Sequence, residues 1–490
     1  MHSSEVSVPP INAQVASLSP MAGLADWRLA IRYGAALLIA AGAGAFIWFG
    51  LDDAPAPVRT SLIVFLLAIL GWTVLRLPAT PVALGAGLAL VLLGAVPDTT
   101  LYAALGHELM WLLVAAFILA AALRRSGIAE RLVLAAVART GSVTRLFYAI
   151  ASVITVTAFV VPSTSGRAAL LLPVYLALAA AIDDRRINRA LALLFPTVIL
   201  LSACASLMGA GAHIVAVDFM TRVGAGSMSF LQWALLGAPF AFLSVLLATA
   251  LVLHLFLRPE ERARKLTLPE RDRTPLCATQ YYVATVVVLT VALWVTQPWH
   301  GLGLAIVALI GALAVTFSAL SGVTMKEAIK DTEWNLLVFL AATLMLGETL
   351  IDTGAATYIA DMALAAASGR VAFTPLTIVA FAAALSMLAH LVITSRTARV
   401  MVLVPSLAVP LSALGVNPAA LIFLVTIGSG FCQTLAVSAK PVALYRALEQ
   451  PTYDERDLLR LSLWLMPFMA ALLMLFSLSI WPMSGLALST

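Results

Sequence analysis

Charge is what this chain has least of. Asp, Glu, Lys and Arg make up 11% of its 490 residues, while hydrophobic residues make up 62% and the mean hydropathy is +1.03. A soluble domain carries about 25% charged residues, so a chain this apolar overfills any aqueous core and a soluble globular enzyme is excluded. Cysteine is scarce as well. Cys204, Cys277 and Cys432 are odd in number, far apart and outside any C-x-x-C pattern, which argues against a disulfide framework and a structural zinc site. Also missing are H-E-x-x-H, Walker A and G-x-S-x-G sequences and any charged extramembrane stretch large enough for an ATPase. The 29 basic residues give a net charge of +5 without a dense patch interleaved with aromatics, so nucleic acid is not an expected partner. No cofactor is called for beyond a possible coupling ion.

What the chain does have is a succession of apolar runs near the roughly 20 residues of a membrane-spanning helix. Read against their breakers, they predict eleven crossings, near 30–50, 58–76, 80–97, 106–123, 190–220, 229–257, 279–297, 301–320, 333–352, 419–445 and 460–483. Two further stretches, 143–182 and 373–415, are interrupted by the polar knots Pro162-Ser-Thr-Ser-Gly-Arg167 and Thr394-Ser-Arg-Thr-Ala-Arg399, as in re-entrant hairpins. With residues 1–27 as a disordered cytoplasmic tail, the bases sort as 22 inside, 3 outside and 4 within polar breaks. That split fits the positive-inside rule for a bacterial-type inner membrane. The expected fold is an all-α polytopic membrane protein, with about 11 transmembrane helices and two re-entrant hairpins in an inverted repeat.

The repeat is visible at an offset of 232 residues: Ser163 falls on Ser395, Arg167 on Arg399, Pro173 on Pro405 and Ser206 on Ser438. Each half reads as a spanning helix, a broken hairpin and then a helix broken around a small-residue loop. An odd number of crossings separates the hairpins, so they enter from opposite sides. The corresponding division has scaffold helices over 28–140 and 229–352, the latter with a cytoplasmic loop at 258–278. The two transport halves cover 141–228 and 353–490.

Discontinuous helices related by an inverted repeat are the mark of a secondary transporter with a midplane site, because irregular backbone at membrane depth persists only where it is buried or lines a cavity. The hairpin tips carry Ser163, Thr164, Ser165, Ser395 and Thr397, hydroxyls suited to capping a half-helix whose free N–H groups attract an anion. Arg167 and Arg399 repeat four residues beyond each tip serine, while Arg396 and Lys440 add positive charge in the second half only. A buried guanidinium needs a partner. It is either a substrate anion or a protein carboxylate, with Asp218, Glu348, Asp352 and Asp361 as candidates. Ser206, Gly209, Gly211 and His213 form the first loop, Ser438 belongs to the second, and His390 precedes the second tip. Either histidine could carry a coupling proton or be a satisfied packing group.

These tip motifs, with Ser206-Leu-Met-Gly-Ala-Gly-Ala-His213 and Val437-Ser-Ala-Lys-Pro-Val-Ala-Leu444, resemble the divalent anion/sodium symporter family from about residue 100 onward. The resemblance implies a homodimer in the lipid bilayer whose transport domain moves elevator-fashion, binding a dicarboxylate or related small anion together with sodium. Ser163-Thr164-Ser165 and Ser395-Arg396-Thr397 stand where that family has Ser-Asn-Thr, and neither asparagine is present. Arginine has no acceptor to offer a cation. Guanidinium charge from Arg167, Arg399 and Arg396 is therefore expected to replace some or all of the sodium, leaving proton coupling or anion exchange. A cation/proton antiporter of the same superfamily and a membrane-embedded enzyme are the alternatives.

Overall fold

In hydrocarbon every backbone polar group must be satisfied within the chain, and an apolar sequence with few interior breakers does this as helices. The computed structural model describes residues 22–489 except 129–130, 132–134, 136–139, 267–274, 368–373 and 449–451, and has no strand among them, only an isolated bridge between Val416 and Ser489. The first helices are α1 (Ala22–Gly50), α2 (Ala56–Thr73), α3 (Ala79–Leu92), α4 (Asp98–Gly106) and α5 (Glu108–Ser126). There follow α6 (Val143–Val156), α7 (Thr164–Ile182), α8 (Arg185–Ser202), α9 (Gly211–Arg222) and α10 (Phe230–Phe256). Next come α11 (Ala278–Val295), α12 (Leu304–Val315), α13 (Trp334–Asp352) and α14 (Ala355–Ala367). The series ends with α15 (Pro375–Leu388), α16 (Arg396–Leu403), α17 (Pro418–Gly428), α18 (Lys440–Arg446) and α19 (Glu455–Leu475).

Among the described residues nine helices are long and apolar enough to cross a membrane. The stretches expected at 80–97, 301–320 and 419–445 form shorter apolar helices, α3, α12 and α17, whereas α7, read as half of a hairpin, reaches spanning length. The shortening has local causes. Gly94 at φ +71° ends the α3 region, and the small-residue loop after Gly428 cuts the last of these stretches into α17 and α18. Helix α1 starts at Ala22, inside the expected 1–27 tail, since no breaker follows Pro20; residues 1–21 lie outside the described residues. So do Arg139, Arg271, Arg273 and Arg370 from the sorted bases. Helix α14 was not read from sequence.

The two halves exchange partners. Helix α9 packs on α16 and α17, while α18 packs on α7 and α8. Under the 232-residue offset these contacts are equivalents, so the second part of each broken helix lies against the helix after the polar knot and the first part of the broken helix of the other half. Helix α10 packs on α6 as α19 packs on α15, closing the bundle around both breaks.

Candidate functional site

The helix that follows each polar knot begins at the serine expected. Ser163 Oγ accepts from the Gly166 amide at 3.1 Å and caps α7, and Ser395 Oγ accepts from the Ala398 amide at 3.3 Å and caps α16. The helix breaks release backbone carbonyls that have lost their partners four residues on. The repeated arginines close them. Arg167 is fully buried; its Nη2 donates to Ile154 O (2.8 Å) and Ser202 Oγ (2.6 Å), Nη1 to Ile199 O (3.0 Å) and Nε to Thr157 Oγ1 (3.0 Å). Arg399 is equally buried, with Nε on Ser429 O (3.0 Å) and Nη1 on Ile393 O (2.8 Å). Neither forms an ion pair among the described residues. Of the carboxylates considered for them, Asp218 and Glu348 instead pair with Arg222, and Asp218 also lies 3.7 Å from His107.

The first break is a pair of tight turns, Ala203–Ala205 and Leu207–Gly209, and glycine there is a matter of space. A Cβ on Gly209 would lie 2.0 Å from Ala203 O, and one on Gly237 in α10 would lie 2.1 Å from Cys204 O. Trp233 Nε1 donates to Cys204 O at 3.1 Å and the Trp233 ring stacks on His213, with centroids 4.9 Å apart. The carbonyl of Ser206 lies 2.9 Å from His213 Nδ1, which places the ring proton there, and His213 Nε2 is buried without a partner. Ser206 Oγ accepts from the Met208 amide at 3.1 Å.

Arg396 is the group that joins the two breaks. It lines a small cavity, about 10 Å³ and so close to the room for one water, together with Cys204 of the first break and Gly430 and Phe431 of the second. Its Nε and Nη1 are buried and have no acceptor, and Arg399 Nη2 and Gln433 Nε2 are likewise unpartnered. In the first half the equivalent position is Thr164, half-buried beside Ser165, so this cation breaks the symmetry of the repeat. Thr397 Oγ1 faces the first break, 3.9 Å from where a Gly211 Cβ would stand.

The remaining candidates are less central. Lys440 is exposed at the start of α18, and Ser438 Oγ accepts from the Leu435 amide at 3.3 Å within its own loop. His390 is buried, with Nε2 2.8 Å from Thr434 Oγ1, which lies 2.6 Å from Ser462 Oγ in α19. Thr157, Glu333, Gln433 and Ser462 were missed by sequence reading. Ser202 and Thr434 were missed too, although they stand 232 residues apart and extend the repeat. No group of three or more His, Cys, Asp or Glu side chains among the described residues has the arrangement of a metal site.

A family model described as the sodium:sulfate symporter transmembrane region matches residues 33–486. The chain belongs to this family. It is similar to a membrane protein of Cupriavidus necator H16, 24% identical over 394 residues that make up 76% of this chain and 74% of that one. Its fold is similar to that of the Alcanivorax borkumensis YdaH transporter, described as having an unusual topology. The TM-score is 0.54 at 16% identity, and the match covers 89% of this chain and 100% of the other. Family and fold are those of an integral membrane anion transporter. Within this symporter-family protein, Arg396 Nε and Nη1 stand out as two buried donors of one side chain with no partner among the described residues.

Proposed function

We propose that the protein moves a small anion, a di- or tricarboxylate, sulfate or another divalent oxyanion, and that Arg396 is its principal ligand. The observation that carries this reading is the pair of buried donors, Arg396 Nε and Nη1, with no acceptor among the described residues. A buried donor left unbonded costs about 1–3 kcal/mol, more when charged, and a planar guanidinium matches carboxylate, sulfate and phosphate alike. Arg399 Nη2 and Gln433 Nε2 add donors, while Ser163, Thr164, Ser165, Ser395 and Thr397 flank the tips. Arg167 serves on this reading as a brace between hairpin and broken helix. The cavity is too small for such an anion, so binding requires the second tip to part from the break. An elevator movement, in which the hairpins travel with the site, is what the family resemblance implies.

Sodium is not needed. The side chain at position 396 offers a cation no oxygen, and a fixed positive charge stands where the resemblance implies an asparagine. Coupling then falls to a proton or to exchange of one anion for another. The reading includes a homodimer in an inner membrane with the N-terminus in the cytoplasm. The ion pairs support that orientation. Arg125–Asp331 (3.0 Å), Arg186–Glu261 (3.3 Å), Arg264–Asp184 (2.9 Å) and Arg446–Glu455 (3.0 Å) all join segments sorted to the inner face, and Arg222 with Asp218 and Glu348 gathers at the outer one. The test is uptake of labelled succinate, citrate and sulfate into proteoliposomes with choline in place of sodium. Uptake of at least one anion is expected; strict sodium dependence refutes sodium independence, and no anion uptake under any condition refutes the function.

A further inference from the structure

We propose that the inner face also holds a binding site for the headgroup of an anionic phospholipid, at the seam between the start of α8, the end of α10 and the start of α19. It stands apart from the anion site and does not depend on it. The seam encloses a cavity of about 440 Å³ lined by Arg186, Arg189, His254, Arg258, Arg460 and Asp457, with Leu255, Phe256 and Leu257 as its apolar side.

The charges divide into those already neutralised and those still available. Arg189 Nε donates to Asp457 Oδ2 at 2.6 Å and its Nη2 reaches Asp454 Oδ2 at 3.1 Å, and Arg186 pairs with Glu261 at 3.3 Å. Arg258 and Arg460 form no ion pair among the described residues. The Arg460 guanidinium lies over the Phe256 ring, 5.5 Å from its centroid, which holds the two helices together and keeps the cation at the cavity. His254 Nδ1 is engaged by Ala250 O at 2.8 Å, so its outer nitrogen is the one left for a ligand. With Asp457 engaged by Arg189 and Glu261 by Arg186 and the Arg258 amide, two arginines and a histidine outside any ion pair make a phosphate-binding surface. Basic pockets between spanning helices on the cytoplasmic side suit lipid headgroups.

A second observation selects a lipid over a free phosphate. Beyond Arg460, α19 exposes Leu463 (73%), Trp464 (54%) and Phe468 (47%), at spacings of three, four and eight residues that place them along one face. A phosphate seated between Arg258 and Arg460 therefore stands at the head of a strip fitted to acyl chains.

The test uses full-length protein, delipidated in neutral detergent and titrated with dioleoylphosphatidylglycerol, dioleoylphosphatidylcholine or inorganic phosphate, with bound molecules counted by native mass spectrometry. The anionic lipid is expected to bind about tenfold tighter than the zwitterionic one. Each arginine facing an anionic headgroup contributes about fivefold, so R258Q/R460Q lowers that affinity about 25-fold and R258K/R460K largely restores it. If the double variant does not run as a single folded species, R460Q alone carries the test at about fivefold. Equal binding of the two lipids, or wild-type affinity in R258Q/R460Q or in R460Q, overturns the proposal. Saturable phosphate binding without lipid preference overturns the lipid and assigns the pocket to a soluble phosphate compound.

Discussion

The hydroxyl of Ser163 at the first hairpin tip donates a 2.6 Å hydrogen bond to Oε1 of Glu333, the residue just before α13. The same hydroxyl accepts from the Gly166 amide, so a carboxylate stands at the start of α7, where free N–H groups favour negative charge. On the proposed function, the transported anion must enter beside or in place of that carboxylate. Glu333→Gln keeps an acceptor for Ser163 and removes the charge. Anion affinity is expected to rise about fivefold, given roughly 1 kcal/mol for a charge at a helix start. Calorimetric titration with sulfate and succinate checks this, and unchanged or weaker binding would show that Glu333 does not compete.

Arg396→Gln removes a guanidinium whose Nε and Nη1 have no partner among the described residues. Its fold is expected to survive, while anion binding weakens by about ten- to a hundredfold, as for the loss of a charged hydrogen bond of about 1.5–3 kcal/mol. Comparing dissociation constants with the unfolding midpoint in detergent separates the two effects. A variant that binds like the wild type puts the site elsewhere.

Arg167→Leu is expected to behave in the opposite way. It removes the guanidinium from the Ile199 carbonyl, while the Ile154 carbonyl keeps the Thr157 hydroxyl and the Ser202 hydroxyl keeps Val198 O. One buried acceptor left unmet costs about 1–3 kcal/mol, and the loss appears as low yield and early unfolding. A variant that folds normally but no longer binds anion would return Arg167 to the ligand.

Gly209→Ala and Gly237→Ala drive a methyl group into the backbone oxygens of Ala203 and Cys204. Neither oxygen sits on a flexible side chain, so the turns must shift. A loss of about 2 kcal/mol is expected, within the usual range for overpacking. A thermal midpoint equal to that of the wild type would mean that the break yields freely.

The 232-residue offset carried most of what could be read beforehand. It aligned the tip serines and the arginines, and at Ser202 and Thr434 it reaches the hydroxyls that engage Arg167 and His390. The employment of the arginines was not readable. Every residue has a carbonyl, so nothing in the identities of Ile154, Ile199 or Ser429 announces that a helix break has left theirs bare. Glu333 was hidden for another reason. It is 170 residues from Ser163, and only the tertiary fold, which sets the residue before α13 against the first tip, brings them together. The shortness of α3, α12 and α17 escaped a reading that judged spans by hydropathy, because an apolar loop scores as well as an apolar helix.

The vacant donors around Arg396 have a consequence for the life of the protein in the cell. An interior with unmet hydrogen bonds is completed by whatever meets them, and a ligand at a hundred times its dissociation constant adds about 2.7 kcal/mol to the folded state. On the function proposed above, the cargo is then also a structural part. A membrane starved of the anion holds carriers that unfold and are degraded sooner, so the number of intact carriers follows the supply of what they carry, with no sensor other than the site itself.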